Sequence, residues 1–333
     1  MNNKKIIIFL IIVVAAILVA FYYQSQMQTE PTNNKNNTTT KKVNTEKVKT
    51  TDGKKHTVPL DEIRSGGPPK DGIPSIDNPK YISPEKADFL SEDSQGISVS
   101  INGVDRFYPY QILVWHEIVN DKINGERILV TYCPLCRSGV VYEPKVKGEK
   151  VEFGTSGKLW QSNLVMYDRK TDSLWSQILG QAIVGEMAGT KLEKLPSNIT
   201  KFGPWKKQHP DGQVLSKDTG YSRDYDSSPY GNYANNERTI FPVKHQDDRL
   251  DKKDLILGVT IDGKAKAYYP PAIKEEGRVE DEFQGQKIIA EFDQQEEIVK
   301  LYTKKDGKKV RLPTISSFWF SWVAAYPNTK LYK

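Results

Sequence analysis

The feature that most constrains this chain is its single pair of cysteines, Cys133 and Cys136. Apolar and β-branched residues flank the pair, which predicts one strand over 128–132 and another over 140–142. Proline and glycine in the connection bend the backbone, so that both sulfurs can face one side. The pair is therefore predicted to lie in a tight turn between two strands.

Such a turn is typical of a knuckle, in which two cysteines converge on one metal ion. A thioredoxin-type redox pair lies instead at the start of a helix, whose N–H groups lower the thiol pKa. The residues after Cys136 give no helical pattern. A disulfide that closes so short a loop restrains little of the unfolded chain. The sequence favours metal binding, while redox chemistry and a structural role stay open.

A knuckle supplies two ligands, and the chain offers three candidates for the rest. His116 lies 17 positions before Cys133, although a lone histidine is more often a packing residue. His209 closes a predicted short helix, where a capping role is equally natural. Met166 lies in an apolar strand, where core packing competes with thioether ligation. Two thiolates and an imidazole suit one copper or zinc ion, and a thioether favours copper.

The N-terminus predicts a membrane segment. Two lysines precede residues 6–23, which carry no charge and as a helix would span about 27 Å, close to the thickness of a bilayer core. A cleaved secretory signal is the alternative, with Ala20 at the cleavage position. We predict that residues 1–23 are a signal-anchor or signal peptide, with the remaining chain outside the cytoplasm.

Residues 24–57 are rich in Asn, Thr and Lys, which predicts a disordered tether. Nine of the 48 basic residues and three of the 42 acidic residues lie in the first 57 positions. The net charge of +6 therefore belongs to the anchor and tether, and the rest is formally neutral. This balance argues against a nucleic-acid partner. The membrane is the predicted partner, and no protein partner is indicated.

Two stretches of the chain resemble each other at an offset of 160 positions. Ile-Asn-Gly at 101–103 and Ile-Asp-Gly at 261–263 are each followed by Tyr, Pro, Ile, Val, Asp, Gly and Ile in the same order. A second match relates the segment from Trp205 to the segment from Trp322, and both continue into a proline. Matches in the same order indicate an internal duplication.

We therefore predict one large globular domain over 58–333, mainly β to α+β, built from two diverged repeats. Their predicted bounds are about 97–215, with an insertion at about 142–200, and about 258–333. The second repeat has Asp and Glu at the cysteine positions and Glu276 or Gly277 opposite His116. This difference suggests one working half and one supporting half.

Several phrases resemble an uncharacterised family, the domain of unknown function 3179. They are 115–121 (WHEIVND), 132–136 (YCPLC), 153–157 (FGTSG), 163–169 (NLVMYDR), 171–177 (TDSLWSQ), 220–225 (GYSRDY) and 228–233 (SPYGNY). The resemblance covers roughly residues 60–333. It implies an exported or membrane-anchored protein and supplies no activity.

Three functions follow from these residues. The first is an extracytoplasmic metal protein that stores or delivers copper or passes electrons, or in which a closed zinc site is structural. The second is a thiol–disulfide oxidoreductase of exported proteins, with Cys133 as the attacking thiol. The third is a non-catalytic module whose aromatic segment 221–233 engages a peptide or glycan. Whether the protein is an enzyme stays open.

Overall fold

The computed structural model describes residues 48–333. The predicted membrane segment and residues 24–47 of the predicted tether lie outside the described residues. Of the described residues, 44% lie in strands and 13% in helices, which confirms a single, mainly β globular domain. Within the described part of the chain, every helix is too short or too polar to cross a membrane.

Alternating apolar residues and frequent Asn-Gly and Asp-Gly turns make the domain a succession of short strands. The strands are β1 (Lys49–Thr51), β2 (Lys54–His56), β3 (Ile63–Ser65), β4 (Tyr81–Ile82), β5 (Gln95–Ile101), β6 (Val104–Pro109), β7 (Ile118–Ile123), β8 (Glu126–Cys133), β9 (Ser138–Glu143), β10 (Lys145–Val146), β11 (Glu149–Lys150), β12 (Phe153–Trp160), β13 (Asn163–Asp168), β14 (Leu174–Ser176), β15 (Gln181–Val184), β16 (Glu193–Leu195), β17 (Asn198–Lys201), β18 (Gln213–Leu215), β19 (Leu255–Ile261), β20 (Lys264–Tyr268), β21 (Arg278–Phe283), β22 (Gln286–Asp293), β23 (Ile298–Lys305), β24 (Lys308–Arg311), β25 (Ile315–Phe318) and β26 (Lys330–Tyr332). The α-helices are α1 (Tyr110–His116), α2 (Phe202–Gln208), α3 (Pro270–Glu276) and α4 (Trp319–Ala325).

The described residues form four larger sheets and the two-stranded sheet β10-β11, and the cysteine turn joins two strands of the largest. The largest has the order β26-β20-β19-β25-β9-β8-β7, with β16 also paired to β9. A seven-stranded sheet has the order β1-β2-β15-β14-β13-β12-β3. The other two have the orders β17-β5-β6-β18-β4 and β21-β22-β23-β24. The main core cluster contains residues from the first two sheets, and Cys133 and Cys136 belong to it together with Met166, Trp175 and Trp322.

Residues 48–57, which composition assigned to the tether, lie in the domain and include the β1–β2 hairpin. His56 pairs with Val184 of β15 and is buried. Its ring nitrogens form hydrogen bonds with the Thr51 hydroxyl at 2.9 Å and the Val58 carbonyl at 2.8 Å. The hairpin depends on pairing with a strand far along the chain, which local composition does not reveal.

Two stretches have the same order of elements, β5-β6-α1-β7-β8-β9 and β19-β20-α3-β21-β22-β23. In both, a strand that follows a later helix pairs in parallel with the second strand, as β18 with β6 and β26 with β20. Helix α1 is followed by Glu117 and helix α3 by Gly277. The backbone of both residues has a positive, left-handed φ, of 58° and 73°. The carbonyl of Glu117 accepts a hydrogen bond of 2.8 Å from the Tyr132 amide, and that of Gly277 accepts one of 2.8 Å from the Phe292 amide. The stretches therefore align without a gap, and His116 corresponds to Glu276.

Candidate functional site

The two cysteines lie in the turn that joins β8 to β9, as the sequence predicts. Cys133 is the last residue of β8 and pairs with Ser138, the first residue of β9. The amide of Cys136 donates to the Cys133 carbonyl at 3.3 Å, and Arg137 turns the chain with a φ of 47°. Both cysteines are free thiols, 1% and 0% exposed. The turn therefore points both sulfurs into the core rather than to solvent.

One amide group holds the sulfur of Cys136. The Nδ2 of Asn163 lies 3.0 Å from the Cys136 sulfur and also donates to Ser138 Oγ at 3.1 Å and Gln177 Oε1 at 2.9 Å. The Oδ1 of Asn163 accepts from the Ile178 amide at 2.9 Å. Because both ends of the amide have partners, its orientation is fixed, and its two N–H groups are shared among the sulfur, Ser138 Oγ and Gln177 Oε1.

This polar surrounding separates the pKa values of the two thiols. Burial acts to raise the pKa of Cys136, but hydrogen bonds to its sulfur outweigh burial and lower that pKa to about 7. The main groups that form them are the side chains of Cys133, Ser138 and Asn163. Burial first, and then the hydrogen bond with Cys136, raise the pKa of Cys133 well above its ordinary value. Near pH 7 Cys136 is therefore partly ionised to the thiolate, whereas Cys133 stays a thiol.

Ser162 lies against both sulfurs, from the turn between β12 and β13. Its carbonyl oxygen is 4.0 Å from the sulfur of Cys133 and 3.8 Å from that of Cys136. Gln161 and Ser162 both have left-handed backbone, with φ of 51° and 62°. The Ser162 hydroxyl is buried and has no hydrogen-bond partner among the described residues. It is therefore available to a molecule that reaches the sulfurs.

Glu117 is a buried carboxylic acid beside the pair, and the sequence analysis did not single it out. It is 6% exposed, and Tyr230 donates a hydroxyl hydrogen bond of 3.5 Å to it. Burial, with a smaller contribution from the charge of Cys136, raises the pKa of Glu117 to about 8. A left-handed backbone costs a residue other than glycine on the order of 1 kcal/mol. The sequence signal that could have identified Glu117 is its alignment with Gly277, because glycine is the residue that usually adopts a left-handed backbone.

Aromatic residues of the irregular segment 216–254 cover the turn. The Tyr233 hydroxyl donates to the carbonyl of Leu135 at 2.9 Å, between the two cysteines. The ammonium of Lys253 lies 3.6 Å from the centre of the Tyr233 ring. The segment predicted to form an aromatic cleft thus includes residues that pack over the cysteine turn.

The predicted ligand His116 is buried against Tyr225, which belongs to a different core cluster from the cysteines. Its Nδ1 is 2.7 Å from the carbonyl of Pro74, and its Nε2 is 2.6 Å from the hydroxyl of Tyr225. Burial lowers the pKa of His116, which keeps the ring neutral near pH 7. Both nitrogens thus have protein partners, and the structure does not bring this ring to the sulfurs.

The other predicted ligands also lie in defined surroundings. His209 follows α2, as predicted, where its Nδ1 is 3.1 Å from Asp105 and its ring is 5.3 Å from that of Trp205. Met166 is fully buried in the core cluster that holds both cysteines. Among residues 48–333, no three His, Cys, Asp or Glu residues are grouped to hold a metal ion. Of the predicted set, the structure brings the two cysteines together, with Met166 in their shared core.

Comparisons with known proteins agree with the predicted resemblance. A family model described as "Protein of unknown function (DUF3179)" matches residues 70–329, which is more than half of the chain. No curated protein matches the chain, and no solved structure does.

Proposed function

Because the chain belongs to the DUF3179 family, whose description names no activity, we propose a function from its own site. Cys133 and Cys136 form a thiol–disulfide redox pair in which Cys136 is the reacting thiolate. One observation carries this proposal, the contact of 3.0 Å between the Asn163 amide and the sulfur of Cys136. An N–H group fixed toward a buried sulfur stabilises negative charge on it, as a nucleophilic thiolate needs.

The reaction transfers two electrons from the pair to a disulfide substrate. The Cys136 thiolate attacks one substrate sulfur, forms a mixed disulfide and expels the first substrate thiolate. The Cys133 thiol then gives up its proton, and its sulfur attacks the Cys136 sulfur and expels the second thiolate. That proton goes to one of the expelled thiolates. The products are a Cys133–Cys136 disulfide, one substrate thiol and one substrate thiolate, so charge and atoms balance.

This assignment reverses the order predicted from the sequence, in which Cys133 attacks. Cys133 is buried, and its hydrogen bond with Cys136 further raises its pKa well above the ordinary value. Its role as the second, resolving thiol follows, since it reacts only after Cys136 has lost its negative charge.

Trapping the mixed disulfide tests the proposal. Reduced Cys133→Ser protein keeps the thiolate but cannot resolve the adduct, so it should retain one substrate half per chain. The matched variant Cys136→Ser should retain little in the same time at pH 7. Intact-mass spectrometry followed by peptide mapping measures both. Equal labelling of the two variants would contradict the assignment of roles.

The second candidate is a copper protein in which one Cu(I) ion is held by Cys133 and Cys136. Two soft sulfur ligands meet in one buried turn, and the thioether of Met166 belongs to the same core cluster. Thiolates and thioethers select Cu(I), which favours copper over zinc. Elemental analysis of protein purified without chelator should then find about one copper per chain, falling in a Cys133→Ser variant. A redox pair predicts copper-free protein.

We also propose that the two stretches with the same element order are diverged repeats and that the first is the working one. Asp293 and Glu296 stand at the places of the cysteines, and the ammonium of Lys300 pairs with both, at 2.8 Å from Asp293. An ion pair thus occupies the turn that holds sulfurs in the first stretch.

The proposed location of the domain is outside the cytoplasm, held by the N-terminal segment. Digestion of the domain by protease added to intact cells tests that location.

A further inference from the structure

A cleft of about 250 Å³ opens next to the cysteine turn. Ser162 lines this cleft and also lies against both sulfurs, at 3.8 Å and 4.0 Å from its carbonyl oxygen. Ser162 is therefore common to the lining of the cleft and to the surroundings of both thiols, which are themselves buried and do not line the cleft. The Ser162 hydroxyl is buried and has no hydrogen-bond partner among the described residues, so the residue shared by the cleft and the sulfurs carries an unused polar group.

The lining of the cleft contains both apolar and charged residues. Leu159, Phe241 and Val243 supply the apolar surface. Glu62 and Lys244 form an ion pair of 3.0 Å and so balance each other. Arg64 also lines the cleft, is exposed, and has no acidic partner among the described residues. The lining thus carries one uncompensated positive charge.

We propose that this cleft admits a low-molecular-weight disulfide that carries a carboxylate, and delivers its sulfur to Cys136 past Ser162. The inference rests on the proposed redox function and names its substrate class. A cleft of about 250 Å³ is smaller than a typical pocket for a drug-sized ligand, about 300–1,000 Å³. It suits a molecule of amino-acid to short-peptide size, whose carboxylate lies near Arg64.

A second cavity gives the matched control. About 380 Å³ in volume, it is lined by Tyr230, Tyr233 and Arg238 among others. Tyr230 and Tyr233 donate to Glu117 and to the Leu135 carbonyl rather than to a sulfur. Arg238 is exposed, like Arg64. Substituting Arg64 therefore tests access through the cleft, and substituting Arg238 tests access through the second cavity.

The experiment measures how fast reduced full-length protein is oxidised by two small disulfides of opposite charge. The anionic probe is 3,3′-dithiodipropionate and the cationic probe is cystamine. Arg64→Gln should slow oxidation by the anionic probe about threefold, the size expected for one partly exposed charge pair. Oxidation by cystamine should be no slower than in the wild type. The difference should shrink at high salt. Arg238→Gln should change neither rate.

A third variant tests the path rather than the charge. Val243→Trp narrows the cleft and should slow both probes on the order of tenfold, because the path to the sulfurs is obstructed. Unchanged rates in both Arg64→Gln and Val243→Trp, or a loss confined to Arg238→Gln, would overturn the inference while leaving the redox function in place. A wild-type protein that neither probe oxidises refutes the redox function itself, and the substrate class with it.

Discussion

Replacing Asn163 by alanine should raise the pKa of Cys136 and weaken its thiolate. The Asn163 amide lies 3.0 Å from the sulfur, whereas the Ser138 hydroxyl is 3.5 Å away. A hydrogen bond to a charged group contributes about 1.5–3 kcal/mol. Since about 1.4 kcal/mol corresponds to one pH unit of pKa, Asn163→Ala should move the pKa of Cys136 from about 7 to about 8 or 9.

The assay is the pH dependence of thiolate absorbance near 240 nm, taken as the difference between each protein and its Cys136→Ser counterpart. Ser138→Ala is the comparison variant, because the Ser138 hydroxyl is farther from the sulfur and donates to Gln177 Oε1 at 2.7 Å, so its loss should raise the pKa of Cys136 by less. Cooperative thermal unfolding of each variant confirms that it is folded. A folded Asn163→Ala protein whose Cys136 still titrates near pH 7 would refute the claim that this amide stabilises the thiolate.

Two further predictions concern charge in the two stretches. Burial raises the pKa of Glu117 to about 8 from an ordinary value of 4.5, so the folded state binds more protons than the unfolded state between these pH values. Stability should therefore fall between pH 5 and 7 by up to about 1.4 kcal/mol per pH unit, and urea unfolding of Glu117→Gln should show a flatter dependence. Lys300→Ala leaves Asp293 and Glu296 without their shared ammonium. It should lower the free energy of unfolding by about 1–2 kcal/mol and leave the oxidation rate of the cysteines unchanged, whereas a slower rate would argue against a purely supporting second stretch.

Much of the cysteine turn was predictable because its signals are local. Runs of apolar and β-branched residues predicted β8 and β9, and proline and glycine predicted the turn between them. The short helix before His209 was predicted from similarly local signals and is confirmed. A local pattern is sufficient where neighbouring residues form the element.

The surroundings of the sulfurs were not predictable, because distant segments supply them. Asn163 lies at the start of β13 and Ser162 in the turn before it. Tyr233 comes from an irregular segment about a hundred residues after the cysteine turn. His116 and Glu117 show the limit most clearly. They are adjacent, yet His116 ends a helix and bonds to Pro74 and Tyr225, while Glu117, with its left-handed backbone, lies beside the cysteines.

The most direct test is the redox state of Cys133 and Cys136 in the full-length protein, equilibrated in buffers that span a range of thiol-to-disulfide ratios. Thiol alkylation followed by mass spectrometry counts the free cysteines at each ratio. The redox assignment predicts one reversible two-electron transition, in which both thiols disappear together and a single peptide pair linked through Cys133 and Cys136 forms. Two thiols that stay free across the whole range, or disulfides that form only between chains, would contradict it.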